Sequence, residues 1–205
     1  MKVVGGAYRG RNVSYPRGAV NLRPTSALVR KAIFDIIGSI PEGLGEVEGT
    51  DVVDMYAGTG MLGIEAISRG AASVTFVESN LRAVAGIKRN LDNLGVPAGR
   101  YRVVHSDVER FLGGRSLGSN STFDIAFIDA PYNLAYSASD GSNDKERMPI
   151  IGGNLLNKLP ASLVVIETMP GEYTIPSEWD VIKQRRYGGT MVTILHGRQQ
   201  GQLAT

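Results

Sequence analysis

Residues 51–66 read DVVDMYAGTGMLGIEA and join an apolar run to a glycine-rich turn and then to a helical pattern. The apolar run predicts a buried strand. Gly58 and Gly60 predict a tight turn, because a glycine has no Cβ and lets a ligand approach both the turn and the N-terminus of the next helix. This strand–turn–helix unit is typical of α/β folds that bind nucleotide-like molecules.

Apolar runs and helical patterns alternate along the rest of the chain, which indicates a parallel sheet flanked by helices. The last two apolar runs meet at Gly188-Gly189 with no room for a helix, so they form an antiparallel hairpin. Another helix follows Thr25 and Ser26, either of which can cap it, and ends at Gly38. We predict strands over 51–56, 73–78, 101–106, 123–128, 162–167, 180–187 and 190–196, and helices over 61–69, 80–94, 107–113 and 150–158.

Length and composition exclude several classes of protein. The 205 residues, 42% of them hydrophobic, suit one main globular domain. The absence of cysteine excludes disulfides and thiolate metal sites. We expect a cytoplasmic protein that contacts no membrane, because the sequence shows neither a signal peptide nor a run of roughly 18 apolar residues. His105 and His196 lack partners at metal-ligand spacing, so we predict no metal site.

Basic residues are concentrated at the N-terminus. Residues 1–34 contain seven Lys or Arg and no acidic residue, whereas the rest contains 15 basic and 20 acidic residues, although the net charge is only +2. A basic segment on a mildly acidic body suits a polyanionic partner. A solubilising tail is the alternative, but Val3, Tyr8 and Val13 argue against it. We predict a basic extension over 1–38, a main domain over 39–197 and a disordered tail over 198–205.

An acidic residue accompanies the glycine-rich turn. Asp54 lies four residues before Gly58, where its carboxylate can meet the cationic amino-acid end of S-adenosyl-L-methionine (SAM). A dinucleotide instead needs neutral or positive surroundings for its pyrophosphate. The stretch Gly58–Gly63 also matches G-x-G-x-x-G, so NAD remains an alternative, although the chain is short for a dehydrogenase with a second domain. The predicted cofactor residues at this turn are Asp54, Tyr56, Ala57, Gly58, Thr59 and Gly60.

Two more acidic residues follow the second and third predicted strands. Glu78 ends the second strand, where a carboxylate can accept hydrogen bonds from both ribose hydroxyls of either cofactor. Asp107 could accept the adenine amino group, with Val108 beside the ring. Asp107 could equally be an ordinary helix cap.

The sequence Asp129-Ala130-Pro131-Tyr132 follows the apolar strand over 123–128. It resembles the Asp/Asn-Pro-Pro-Tyr/Phe motif of methyltransferases that modify exocyclic amines of nucleobases. Such an amine is a poor nucleophile, because its lone pair is delocalised into the ring. Hydrogen bonds from the amine to the Asp129 carboxylate and the Ala130 carbonyl would direct the lone pair towards the methyl group, while Tyr132 stacks on the base. The surplus proton would leave through Asp129 or water.

Four stretches carry a family resemblance: Val3–Arg11, Arg23–Thr25 with the helix that follows, Asp54–Ala66, and Tyr187–Thr190. Together they resemble the RsmD family of bacterial 16S rRNA guanine-N2 methyltransferases. The resemblance spans nearly the whole chain. It implies an α/β, Rossmann-like class I methyltransferase fold: a seven-stranded, mostly parallel sheet with a C-terminal antiparallel hairpin.

The resemblance also implies the cofactor SAM and a 16S rRNA or assembling 30S subunit as the partner of a monomeric enzyme. The catalytic residues would be Asp129, Ala130, Pro131 and Tyr132, and the RNA-binding residues would be Arg9, Arg11, Arg23, Thr25 and Arg30. The sequence departs from the family pattern at Ala130, where a proline is usual, and at Leu28, Lys31 and Asp35. These departures bear on which nucleotide is modified.

Two other functions fit the same residues. A DNA adenine-N6 methyltransferase could use the Asp-Ala-Pro-Tyr element, although no target-recognition domain is visible. A non-catalytic RNA-binding or assembly module could retain the cofactor fold, and Ala130 is the one feature that favours it.

Overall fold

Seven strands form one twisted sheet in the computed structural model, which describes residues 1–16, 25–41, 45–114, 122–131, 154–171 and 175–198. The order across the sheet is β3-β2-β1-β4-β5-β7-β6, and β7 runs antiparallel to both of its neighbours. This arrangement confirms the predicted mostly parallel sheet with a C-terminal hairpin. The strands are β1 Asp51–Met55, β2 Ser73–Glu78, β3 Tyr101–His105, β4 Phe123–Ile128, β5 Ala161–Thr168, β6 Trp179–Tyr187 and β7 Thr190–Gly197.

Several helices begin at a residue whose side chain caps them. Ser26 Oγ accepts from Val29 N at 3.2 Å at the start of the first helix. Asn80 Oδ1 caps the third helix in the same way. The predicted helix over 150–158 is described from Asn154, and residues 150–153 lie outside the described residues. The helices are α1 Ala27–Ile37, α2 Met61–Ser68, α3 Leu81–Leu94, α4 Val108–Gly113 and α5 Asn154–Lys158, and a 3-10 turn spans Ala98–Arg100.

The sheet separates two apolar cores, because alternate residues of a strand point to opposite faces. One core lies under α1, α2 and α3 and includes Ile33, Ile64 and Phe127. The other lies under α4 and α5 and includes Phe111 and Ile128. Burial of both faces explains why the central strands read as continuous apolar runs.

The N-terminal segment is part of the folded body. Lys2 and Asn12 form an antiparallel bridge, and Val3 and Val13 belong to the same core as α1 and α2. The side chain of Ser68, at the end of α2, accepts from Tyr8 N and donates to Gly5 O. The boundary predicted at residue 38 therefore does not coincide with a break in packing. Of the predicted tail, residues 199–205 lie outside the described residues.

Within the described ranges, no helix has the length and apolar character needed to cross a membrane.

Candidate functional site

The glycine-rich turn lies at the carboxyl end of β1, between β2 and β4. Met55 pairs with Val77 of β2 and with Ile128 of β4. Gly58 and Gly60 have φ values of 52° and 74°, and Gly60 immediately precedes α2. This left-handed backbone disfavours residues with a side chain, so the conformation of the turn itself favours glycine at both positions.

Asp54 is buried beneath this turn. Its Oδ2 accepts from Gly63 N at 2.9 Å, which anchors the first turn of α2 to β1. Burial raises the pKa of Asp54 well above its usual range, the Gly63 N–H lowers it, and the negative charges of Asp129 and Glu78 raise it further. Asp129 and Glu78 are therefore both close enough to Asp54 to disfavour its charged form.

Glu78 connects β2 to the turn. Its Oε2 accepts from Gly58 N at 2.8 Å and its Oε1 accepts from Asn80 N at 2.7 Å. The side chain is only 7% exposed. Each carboxylate oxygen has a second lone pair, so the group retains acceptor capacity for a ligand at the turn.

Tyr56, Asp107 and Val108 lie together beyond the ends of β1 and β3. Asp107 Oδ1 accepts from Arg110 N at 2.7 Å, so this residue is a helix cap, one of the two roles that the sequence left open. Burial raises the pKa of Tyr56, and the negative charges of Glu109 and Asp107 raise it further. Tyr56 therefore lies near the start of α4.

Asp129 follows β4 at the same edge of the sheet. Its Oδ2 accepts from the hydroxyl of Thr25 at 2.9 Å, across 104 residues of sequence. Ala130 is buried and Pro131 is exposed, whereas Tyr132 lies outside the described residues. Thr25, just before α1, thereby contacts the predicted amine-binding residue, and the sequence analysis missed this contact.

The structure does not support the predicted RNA contact of Arg30. Its side chain is 2% exposed, with Nη1 donating to Thr25 O at 2.5 Å and Nη2 donating to Lys2 O at 2.8 Å. Burial lowers the pKa of Arg30, and the negative charges of Glu65 and Glu167 oppose that shift. Thr25 is buried as well, and its hydroxyl is directed to Asp129 instead of solvent. Both residues act inside the fold.

Of the other predicted RNA-binding arginines, two lie away from the glycine-rich turn and one lies outside the described residues. Arg9 and Arg11 are exposed, and Arg11 Nη2 donates to Asn93 O near the end of α3. The neighbouring Tyr8 contacts the end of α2, about 12 Å along the helix from the glycine-rich turn. These two arginines are thus at the amino-terminal edge of the sheet, opposite Asp129. Arg23 lies outside the described residues.

The site therefore gathers carboxylates around a glycine turn at one sheet edge, which is where open α/β sheets bind their ligands. SAM carries positive charge on its sulfonium and its amino group, and a cation bound here would favour the charged form of Asp54 beside Glu78 and Asp129. The residues present thus fit a cationic cofactor better than they fit a pyrophosphate. In the part of the chain that the structure describes, no group of three or more His, Asp or Glu could hold a metal ion.

Comparisons with known proteins agree with this description. A model of the family described as Conserved hypothetical protein 95 matches residues 1–196. Ribosomal RNA small subunit methyltransferase D of Escherichia coli (strain K12) is 26% identical over 209 residues, covering 98% of this chain and 92% of the relative.

Two solved structures share the fold. The yhhF protein of Escherichia coli, which carries a provisional assignment as a methyltransferase, is 25% identical with a TM-score of 0.73, covering 98% of this chain and 99% of that one. SMU.776 is also provisionally assigned as a methyltransferase and was solved in complex with S-adenosylhomocysteine (SAH). It is 14% identical with a TM-score of 0.59, covering 82% of this chain and 49% of that one.

Proposed function

The chain belongs to the family of Conserved hypothetical protein 95, the RsmD family, and from that membership we propose that it is a SAM-dependent methyltransferase acting on ribosomal RNA. Its proposed substrate is the exocyclic N2 amine of a guanine in the small-subunit rRNA, naked or in an assembling 30S subunit. The relative from Escherichia coli is named a small-subunit rRNA methyltransferase, which supports the choice of RNA over DNA.

The parallel pairing of β1 with β4, which sets Asp54 and Asp129 side by side at one edge of the sheet, carries this proposal. The first acid was predicted to meet the cofactor and the second to meet the amine, and both lie at the carboxyl ends of the neighbouring strands β1 and β4. A methyl donor and its acceptor must meet in one small space for in-line transfer. The closeness of the two acids supports a single reaction centre.

Several residues of the glycine-rich turn would hold the cofactor. Asp54 would face its amino-acid end, and Glu78 would accept hydrogen bonds from the ribose hydroxyls. The adenine would lie near Asp107 and Val108. Bound SAM supplies an electrophilic methyl group on its sulfonium. The remaining residues in this set are Tyr56, Ala57, Gly58, Thr59 and Gly60.

Asp129 and Ala130 would prepare the nucleophile. The carboxylate of Asp129 and the carbonyl of Ala130 would each accept an N–H of the guanine amine and so fix the direction of its lone pair. Thr25 would act as a positioning residue, because its hydroxyl donates to Asp129 Oδ2 and so restrains the orientation of that carboxylate. Pro131 would keep the backbone extended, and Tyr132 is proposed to stack on the base.

The proposal is tested with the purified chain, SAM carrying a labelled methyl group, and either 16S rRNA or 30S subunits that lack the modification. We expect label in the RNA and N2-methylguanosine in its nucleoside digest. Label on adenine or on a duplex DNA substrate would overturn the assignment of guanine. Binding of SAH with no transfer to either RNA substrate would instead indicate a non-catalytic RNA-binding module.

Two substitutions separate the proposed roles. Asp129→Ala should leave the affinity for SAH nearly unchanged and reduce methyl transfer severely, because the carboxylate faces the amine. Glu78→Ala should weaken SAH binding first. Unchanged transfer by the Asp129→Ala variant would contradict the assigned chemistry.

A further inference from the structure

The outer edge of the sheet is formed by β6, whose residues from Val181 to Arg186 are all exposed. From Val181 to Arg198 the chain carries Lys183, Arg185, Arg186 and Arg198 and no acidic residue. Lys183, Arg185 and Arg186, named here the basic edge, fall within four consecutive positions of one strand. This cluster lies outside the basic N-terminal extension that the sequence analysis identified.

The basic edge lies at the same end of the sheet as the reaction centre. Met191 pairs with both Thr168, the last residue of β5, and Arg186, so Arg186 is level with the carboxyl end of β5. The order β4-β5-β7-β6 sets β6 three strands away from β4. With neighbouring strands about 4.8 Å apart, the basic edge lies about 14 Å across the sheet from β4.

Two of the basic side chains share a face of the sheet with α1. Lys183 pairs with Ile194 and Arg185 with Val192, and both of these partners belong to the core beneath α1. The guanidinium of Arg185 lies over the ring of Tyr187, 5.6 Å from its centre. This stacking restricts the side chain and holds its charge on the side of the sheet where Thr25 meets Asp129.

The reaction centre itself is unsuited to attract a polyanion. Asp54, Glu78 and Asp129 are acidic, and a nucleic acid brings a phosphate with every nucleotide. The exposed basic residues Arg9 and Arg11 lie at the opposite edge of the sheet. A substrate that places one base at Asp129 would be stabilised by positive charge close to the carboxyl edge, and β6 supplies such charge on the side of β4 away from β1.

We propose that Lys183, Arg185 and Arg186 bind the ribose-phosphate backbone of the RNA substrate a few nucleotides from the modified base. A separation of about 14 Å corresponds to roughly four nucleotides of a stacked strand. This inference rests on the proposed function, because it identifies a second contact of the same substrate. Charged edge strands also prevent edge-to-edge association, but charges of either sign do so.

Charge reversal distinguishes a role of these residues in RNA binding from a role in preventing edge-to-edge association of the sheet. Lys183→Glu/Arg185→Glu keeps the edge charged and reverses its sign. The matched control is Lys88→Glu/Arg89→Glu, which changes the charge by the same amount at exposed positions of α3. Binding of a labelled 16S rRNA fragment is measured across a salt series, together with SAH affinity, the unfolding temperature and sedimentation.

We expect the β6 variant to bind RNA at least about tenfold more weakly and to lose about 1.4 from the slope of log affinity against log salt, since two phosphate contacts are removed. The control should keep the affinity and slope of the unmodified chain, and both variants should keep the sedimentation behaviour and SAH affinity of the unmodified chain. The neutral variant Lys183→Gln/Arg185→Gln should show a smaller loss in the same direction.

RNA affinity and salt slope equal to those of the control would overturn the basic edge as an RNA contact. The binding readout is independent of catalysis, so the two proposals fail separately. RNA binding that depends on β6 without any methyl transfer would refute the proposed function alone. Full transfer activity with no effect of the β6 substitutions would refute the basic edge alone.

Discussion

The substitution Thr25→Val removes one hydroxyl and keeps the branched shape of the side chain. The lost hydrogen bond is the 2.9 Å contact between Thr25 Oγ1 and Asp129 Oδ2. Thr25 is only 7% exposed, so water cannot easily replace the hydroxyl. Ser26 remains as the cap of α1, and the carbonyl of Thr25 still accepts from Arg30. The change is therefore confined to the orientation of Asp129.

The size of the effect follows from the type of hydrogen bond. A hydrogen bond to a charged group contributes about 1.5–3 kcal/mol. Loss of that energy in the transition state corresponds to a reduction of about 10- to 150-fold in the rate of the chemical step, at about 1.36 kcal/mol per factor of ten. SAH affinity should stay unchanged, because the hydroxyl contacts neither the glycine turn nor Glu78.

Single-turnover methyl transfer to 30S subunits measures the chemical step, and SAH titration measures cofactor binding. Thr25→Ser is the matched control, because serine keeps a hydroxyl at the same position, and it should retain most of the rate. A Thr25→Val variant with the unmodified chain's rate would show that the bond has no part in catalysis. Equal losses in the valine and serine variants would attribute the effect to packing.

Three further substitutions test other parts of the structure. Gly63→Ala should lower the free energy of unfolding by about 1–3 kcal/mol in a denaturant titration, because the added Cβ would lie 2.2 Å from Phe76 Cε1. Gly113→Ala is the control and should be nearly neutral, because its added Cβ would have no atom within 4 Å. Arg30→Lys should destabilise the fold, because an ammonium lacks the planar guanidinium that donates to two carbonyls. The same substitution should leave the salt dependence of RNA binding unchanged. A reduced salt slope would show that Arg30 contacts RNA after all. Asp54→Asn should flatten the pH dependence of stability. Because burial raises the pKa of Asp54, the folded chain retains a proton that the unfolded chain releases above about pH 4. The stability of the unmodified chain therefore falls as the pH rises above about 4. Thermal unfolding from about pH 4 to pH 8 checks this, and the variant should also bind SAM more weakly, whereas identical pH profiles would contradict the shift.

Much of the fold could be predicted because its signals are local. Apolar runs of strand length, helical periodicity and glycine at turns depend on neighbouring residues. They correctly predicted the seven strands, the C-terminal hairpin and the turn containing Gly58 and Gly60. The positions of Glu78 and Asp129 follow from the same logic, because parallel strands present their carboxyl ends at one edge of the sheet.

What the sequence could not reveal depends on contacts between distant segments. It indicated that Arg30 belongs to a basic, RNA-contacting segment, whereas in the folded chain its guanidinium binds the carbonyls of Lys2 and Thr25. It contained no sign that Thr25 would meet Asp129, 104 residues away. Composition alone cannot distinguish a buried arginine from a surface one, because the difference lies in which carbonyls the fold brings within reach.

The sequence by itself thus determined the order of the elements, the glycine turn and the acids beside it, since each is encoded by spacing along the chain. Only the tertiary structure decided which basic residues lie near the reaction centre. Packing of the N-terminal segment against the end of α2 moves Arg9 and Arg11 to the far edge of the sheet, while strand pairing brings Arg186 of β6 level with the carboxyl end of β5. The position of a charged residue relative to a distant site is set only when the chain folds, because folding decides which edge of the sheet the residue reaches.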